Sequence, residues 1–278
     1  MREKLKLAIC QIQVSNCKDD NLNKAGDMVN TASSSGAQMV ILPEMFNAPY
    51  QTDLLADYAE SFPGPSTGFL SGLARKNSIV LVGGSIPEKD AEGRIYNCSY
   101  TFDEQGDVIG KHRKMHLFDV DIPGQLYFKE SDVFTAGDGL QLIRYHGLVL
   151  AVLICYDIRF PELARMAALE GAQMLVIPAA FNHTTGPAHW DLLMRTRAVD
   201  NQLFVVAASP ALNPKANYQA WGHSLVVDPW GTVISEGGSG EEIIYAELDW
   251  TMVDKVRREL PLLKHRRTDI YELNYFSR

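Results

Sequence analysis

The sequence predicts an α/β fold of four layers, an α-β-β-α sandwich in which two mixed sheets face each other and carry an internal pseudo-two-fold repeat. Three observations predict it. Gly36-Ala37-Gln38-Met39-Val40-Ile41-Leu42-Pro43 recurs as Gly171-Ala172-Gln173-Met174-Leu175-Val176-Ile177-Pro178. Residues 77–87 are then echoed by 201–210, and Phe102-Asp103-Glu104-Gln105-Gly106 by Val227-Asp228-Pro229-Trp230-Gly231, in the same order. In both units short continuous apolar runs alternate with helical patterns, which is how strands buried on both faces read between crossover helices.

The elements follow in chain order. The apolar runs at 5–10, 39–42 and 79–82 are strands of the first unit, and those at 148–154, 174–177 and 203–208 are strands of the second. Over 20–35, Leu22, Ala25, Met28, Val29 and Ala32 recur at three- and four-residue steps, the stripe of a helix packed on a sheet. Ser66-Thr67 can cap a helix ending near Asn77, and Pro161 suits the first turn of one over 161–170. A helix over 187–201 pairs Asp191 with Arg195 one turn apart. Gly106 and Gly231 mark tight hairpin turns. No Pro/Gly/Ser-rich linker divides the halves, so residues 1–278 are read as one domain, with a C-terminal arm from about 250 that starts as a helix.

The formal net charge of −8 argues against a nucleic-acid partner, which demands a clustered basic surface; the runs Lys111-His112-Arg113-Lys114 and His265-Arg266-Arg267 are too short to supply one. No apolar stretch approaches the about 18 residues of a membrane span, and residues 5–10 behind Met1-Arg2-Glu3-Lys4 are too short for a signal-peptide core. The chain is therefore expected in the cytosol, with an organelle route left open. Cys10, Cys17, Cys98 and Cys155 show neither a disulfide framework nor a Cys-x-x-Cys spacing. His112 and His116 stand four apart, but without the glutamate of a helical HExxH site, so no metal is expected.

Functional groups in open α/β sheets collect beyond the carboxyl ends of strands. Glu44 follows the strand ending at Pro43, Lys114 ends the second strand of the first hairpin, and Cys155 follows the run ending at Ile154. The repeat singles out Glu44, because its counterpart is Ala179 and the strand end itself does not demand a carboxylate. Taken singly, Glu44 reads as a surface carboxylate, Lys114 as a solvated lysine and Cys155 as a small core residue. Cys155 differs from the other cysteines in preceding a sharp strand-to-helix turn. Such a turn would expose the sulfur and point backbone N–H groups at it, and a helix N-terminus and a neighbouring ammonium favour the reactive thiolate. Amide cleavage needs a strong nucleophile and a stabilised oxyanion. Cys155 can attack, Glu44 can move the protons, and Lys114 with the Tyr156 N–H can hold the oxyanion.

Pro43-Glu44-Met45-Phe46-Asn47, His112-Arg113-Lys114 and Ile154-Cys155-Tyr156-Asp157-Ile158-Arg159-Phe160-Pro161-Glu162 resemble the three signature blocks of the nitrilase superfamily of carbon–nitrogen hydrolases. The resemblance covers essentially the whole chain. It implies the four-layer sandwich, a Glu44–Lys114–Cys155 triad working through a thioester, no cofactor and a homodimer. It also implies a second glutamate that holds the lysine, at Glu130; read alone, Glu130 is a surface residue.

Within the superfamily, residues 43–50, 181–190 and 197–201 resemble the omega-amidase branch, which implies hydrolysis of the terminal amide of alpha-ketoglutaramate or alpha-ketosuccinamate to the keto diacid and ammonia. Such a substrate keeps one free carboxylate, for which Arg159, Arg195, Tyr50, Thr184 and Thr185 are candidates, with Tyr156 and Phe181 completing the candidate substrate-binding set. The branch also resembles deaminated-glutathione amidase. Another small-amide hydrolase, a nitrile hydrolase and a catalytically idle binding or scaffold member are the remaining alternatives.

Overall fold

The computed structural model describes residues 4–124 and 126–274. The first unit runs β1 (Lys4–Gln11), α1 (Lys18–Ser34), β2 (Met39–Ile41), α2 (Pro65–Asn77), β3 (Val80–Val82), β4 (Ile86–Lys89), β5 (Ile95–Phe102) and β6 (Val108–Arg113). A small hairpin, β7 (Asp119–Ile122) and β8 (Leu126–Lys129), and an edge strand β9 (Leu142–Tyr145) lead into the second unit. That unit runs β10 (Leu148–Val152), a 3₁₀ turn at Cys155–Arg159, α3 (Pro161–Leu169), β11 (Met174–Pro178), α4 (Gly186–Asn201), β12 (Phe204–Ala208), β13 (Leu225–Val227) and β14 (Val233–Glu236). The chain returns to the first sheet as β15 (Glu242–Asp249) and continues into α5 (Thr251–Glu259). The arm beyond α5 is described to Asn274; its last four residues, like Met1-Arg2-Glu3, lie outside the described residues.

The repeat is visible strand by strand. In the first sheet β1, β2 and β3 are parallel, β15 lies antiparallel outside β1, and the β5–β6 hairpin closes the other side, with β4 added to β5. In the second, β10, β11 and β12 are parallel, with β9 antiparallel outside β10 and the β13–β14 hairpin opposite. The two hairpin turns match in detail. Asp103 Oδ1 accepts from Gln105 and Asp107 N–H, and Asp228 Oδ1 from Trp230 and Thr232 N–H. Gly106 at φ +79° and Gly231 at φ +87° supply the left-handed residue each turn needs.

Side chains alternate across each strand and so build the layers. Leu7 and Ile9, Met39 and Ile41, Met174 and Val176, and Phe204 and Val206 meet in the core between the sheets. Their neighbours Ala8, Cys10, Val40 and Leu42 pack outward with Ala25, Val29 and Ala32 of α1 and Leu70 and Leu73 of α2. Leu175, Ile177, Val205 and Ala207 do the same with Leu163 and Ala167 of α3 and Met194 and Ala198 of α4.

The start of α2 departs from expectation. Gly64 is the N-cap and Pro65 the first helical residue, while Thr67 caps from inside, its hydroxyl accepting Gly64 N–H at 2.9 Å. Ser66 instead donates to the buried Glu60 carboxylate from both its N–H and its hydroxyl, each at 2.7 Å. Among the described residues no helix is long and apolar enough to cross a membrane.

Candidate active site

Glu44 leaves the end of β2 into a packed corner. Gly84, at φ +58°, crosses so close that a Cβ there would lie 2.1 Å from the Pro43 carbonyl oxygen. Lys114 follows β6, its N–H donating to Asn97 O on β5 at 2.8 Å. Glu130 arrives from the β7–β8 hairpin, which folds back so that Phe118 N–H donates to Glu130 Oε2 at 2.6 Å. These routes bring three fully buried charged side chains together. Lys114 Nζ lies 3.0 Å from Glu44 Oε1 and 2.8 Å from Glu130 Oε2. The Tyr50 hydroxyl donates to Glu130 Oε1 at 2.6 Å, and Asn97 Nδ2 donates to Glu44 Oε1 at 2.8 Å.

One ammonium thus faces two carboxylates out of contact with water. Burial opposes the charge on Lys114, but Glu130 and Glu44 outweigh it and hold the ammonium well above its ordinary range. Burial pushes the Glu44 carboxyl up and Glu130 pushes the same way, against the pull of Lys114. Glu44 Oε2 is buried without a conventional hydrogen-bond partner, while the Cys155 thiol lies close enough for each group to shift the other.

Cys155 opens the 3₁₀ turn in the left-handed region, at φ +47°, a conformation that costs a non-glycine residue about 1–2 kcal/mol. As the second residue of that turn, Tyr156 presents an N–H with no acceptor inside it. The expectation of an exposed sulfur favouring thiolate does not hold. Cys155 is only 5% exposed, and burial, with the Glu44 carboxylate behind it, lifts the thiol well above its ordinary range, outweighing Lys114. A thiol of this kind rests protonated, and the adjacent carboxylate can receive its proton.

Phe118, Tyr156, Arg159, Phe181, Thr185 and Tyr218 line a small, tight cavity over Cys155. A neighbouring cavity, reaching Glu44, Met45 and Tyr50, shares Ala180 and Tyr218 with it. The Arg159 guanidinium lies 4.6 Å from the Phe181 ring centroid and 3.1 Å, at Nη1, from His189 Nδ1. Among the described residues it has no carboxylate partner.

The structure thus gathers Glu44, Lys114, Glu130, Cys155, Tyr50, Tyr156, Arg159, Phe181 and Thr185. Two candidates do not join them. Arg195 stands on the outer face of α4, paired with Asp191 at 3.6 Å and bonded to Gly231 O; the helix faces the core with Met194 and Ala198 instead. Thr184 is exposed and lies outside the cavity lining, its N–H spent on Asn182 Oδ1. Sequence reasoning passed over Asn97, Phe118 and Tyr218. Asn97 carried a readable signal, an amide inside a strand, where Asn is disfavoured. Tyr218 carried none, since it comes from the irregular link between β12 and β13. The His112 and His116 imidazoles both engage Asp157.

Residues 6–258 match the model of the carbon–nitrogen hydrolase family. The chain is 50% identical over 268 residues to the omega-amidase NIT2 of Bos taurus, covering 96% of this chain and 97% of the relative. The crystal structure of Nit3 from Saccharomyces cerevisiae, a member of branch 10 of the nitrilase superfamily, superposes with a TM-score of 0.88 at 45% identity, covering 95% and 97% of the two chains. A mutant of the amidase from Nesterenkonia sp. AN1, showing covalent addition of the acetamide moiety of fluoroacetamide at its active site cysteine, superposes with a TM-score of 0.77 at 25% identity over 97% of each chain. The chain belongs to the carbon–nitrogen hydrolase family of the nitrilase superfamily and is an amidohydrolase acting on non-peptide carbon–nitrogen bonds.

Proposed function

We propose that this protein is an omega-amidase that hydrolyses the terminal amide of alpha-ketoglutaramate or alpha-ketosuccinamate through a thioester on Cys155. The observation that carries the reaction is Lys114 Nζ held between Glu44 and Glu130 beside the buried Cys155 thiol. As the sulfur attacks the amide carbonyl, Glu44 takes the thiol proton; its raised pKa suits a base that must also give that proton back. The oxyanion is held by Lys114 and the Tyr156 N–H. Glu44 then protonates the departing nitrogen, which leaves as ammonia, and next removes a proton from the water that attacks the thioester. Glu130 and Tyr50 keep the Lys114 side chain in place throughout.

The substrate class is supported by Arg159. A cation at the cavity wall with no carboxylate partner among the described residues suits the free carboxylate of a dicarboxylate monoamide, with Thr185, Phe181 and Tyr156 around the acyl chain. The similarity to omega-amidase NIT2 points the same way. A homodimer is part of this reading. Leu192, Val199 and Trp230 stand exposed along one outer groove, and sedimentation of the wild-type protein should give twice the chain mass.

Ammonia release from a panel of omega-amides, with deaminated glutathione and matched nitriles alongside, tests the assignment. The keto acid amides should be the best substrates. No turnover of either one, with turnover of deaminated glutathione, would overturn it.

A further inference from the structure

The imidazoles two places on either side of Lys114, His112 and His116, reach across to a single carboxylate. It belongs to Asp157, two places past Cys155, and is fully buried. Its Oδ2 lies 3.0 Å from His112 Nε2 and accepts Ile154 N–H at 3.0 Å. Its Oδ1 lies 2.8 Å from His116 Nδ1 and accepts His116 N–H at 2.9 Å. Asp157 N–H in turn donates to Ile154 O at 3.0 Å, so Ile154 and Asp157 bracket Cys155 in a closed ring of bonds. The His116 ring also stacks on Phe160 at the end of the turn, with centroids 3.7 Å apart and planes 11° from parallel.

The segment that delivers Lys114 therefore grips the turn that delivers Cys155, from two points. None of the three gripping groups lines the cavity over Cys155. A non-glycine residue in the left-handed region persists only where its surroundings over-determine it. Burial works against the Asp157 carboxylate, but its bonds to His112 and His116 hold the carboxyl well below the usual range, so it stays an acceptor.

We propose that Asp157, clamped by His112 and His116, is a positioning residue that sets Cys155 in its left-handed conformation and fixes the sulfur against Lys114 and Glu44. The clamp acts through the nucleophile, and the inference rests on the reading of Cys155 given above. Displacing a reacting group by about 1 Å costs on the order of 100-fold in rate. Loss of the clamp should therefore appear in kcat, with little change in KM.

The experiment measures kcat and KM for the wild type, Cys155→Ala, Asp157→Asn, His116→Gln and the double variant on the omega-amide the wild type turns over best. Cys155→Ala separates the two readings: wild-type turnover there would sink the nucleophile assignment itself, whatever Asp157 does. With Cys155→Ala inactive, folded Asp157→Asn should lose about 100-fold in kcat with KM within about threefold. His116→Gln should lose about tenfold, and the double variant should be no worse than Asp157→Asn, because His116 acts through Asp157. A folded Asp157→Asn with wild-type kcat overturns the proposal, as does a double variant whose losses multiply. Should Asp157→Asn fail to fold, the half-exposed His116 decides alone: reduced kcat at unchanged KM supports the clamp, and unchanged kcat overturns it.

Discussion

At the ends of β2 and β11 the two units occupy matching places, yet one strand delivers Glu44 and the other Ala179, both fully buried. The exchange runs the other way at the neighbouring strands. Leu7 of β1 pairs with Met39 as Leu150 of β10 pairs with Met174, and counting on from that register sets Ile12 opposite Cys155. Ile12 is fully buried and apolar. Glu44 and Cys155 thus each stand where the other unit keeps a plain core side chain. The first half supplies the charges, at Glu44, Lys114 and Glu130, and the second supplies the thiol and most of the cavity around it. The duplicated scaffold demands neither Glu44 nor Cys155, which supports the chemical roles proposed for them.

The difference between the two units should be largest in its effect at Glu44. Replacing it by Gln keeps the shape and removes the proton acceptor, and kcat should fall by about 10²–10⁴-fold with the fold intact. A variant of near wild-type activity would mean that the departure from the repeat carries no function. The reciprocal change, Ala179→Glu, places a carboxylate at the matching strand end without an ammonium to meet it. Thermal or denaturant unfolding should show a loss of about 3 kcal/mol or more, and a stable variant would show that the two ends are less alike than their registers imply.

Smaller effects sharpen the division of labour. Arg159→Gln should raise KM for a keto acid omega-amide by about 10- to 100-fold, the worth of a charge-assisted hydrogen bond of about 1.5–3 kcal/mol, with kcat changed far less. An uncharged amide of similar length should show no such loss. The pH profile tests Glu44 in its setting. Glu44 must be ionised to accept the thiol proton, and its carboxyl is raised by burial and by Glu130, so kcat/KM should rise with pH through a limb above the ordinary carboxylate range. Glu130→Gln removes the one neighbouring charge that pushes Glu44 up and should move that limb to lower pH. A limb that moves upward would show that Glu130 acts on Glu44 mainly by holding Lys114.

The strands, helices and layers were legible because they rest on local patterns: apolar runs of strand length, helical stripes and turn residues at fixed places. Glu44, Lys114 and Cys155 were legible because strand ends and the broken repeat point to them. Glu130 was not, since its burial is made by a hairpin that folds Phe118 N–H onto it, a contact no nearby residue announces. Arg195 misled because the pattern of α4 says which residues face the core but not which end of the molecule an exposed cation overlooks. The state of the Cys155 thiol was misjudged for a related reason. A helix terminus and an ammonium are visible in a sequence, whereas the depth of burial that outweighs them is not.

Acylation of Cys155 can be read by mass spectrometry of enzyme quenched in acid during turnover. The peptide carrying Cys155 should gain the mass of the substrate's acyl group, and Cys155→Ala should lose both the adduct and ammonia release. An adduct on another residue, or wild-type ammonia release by Cys155→Ala, would contradict the account.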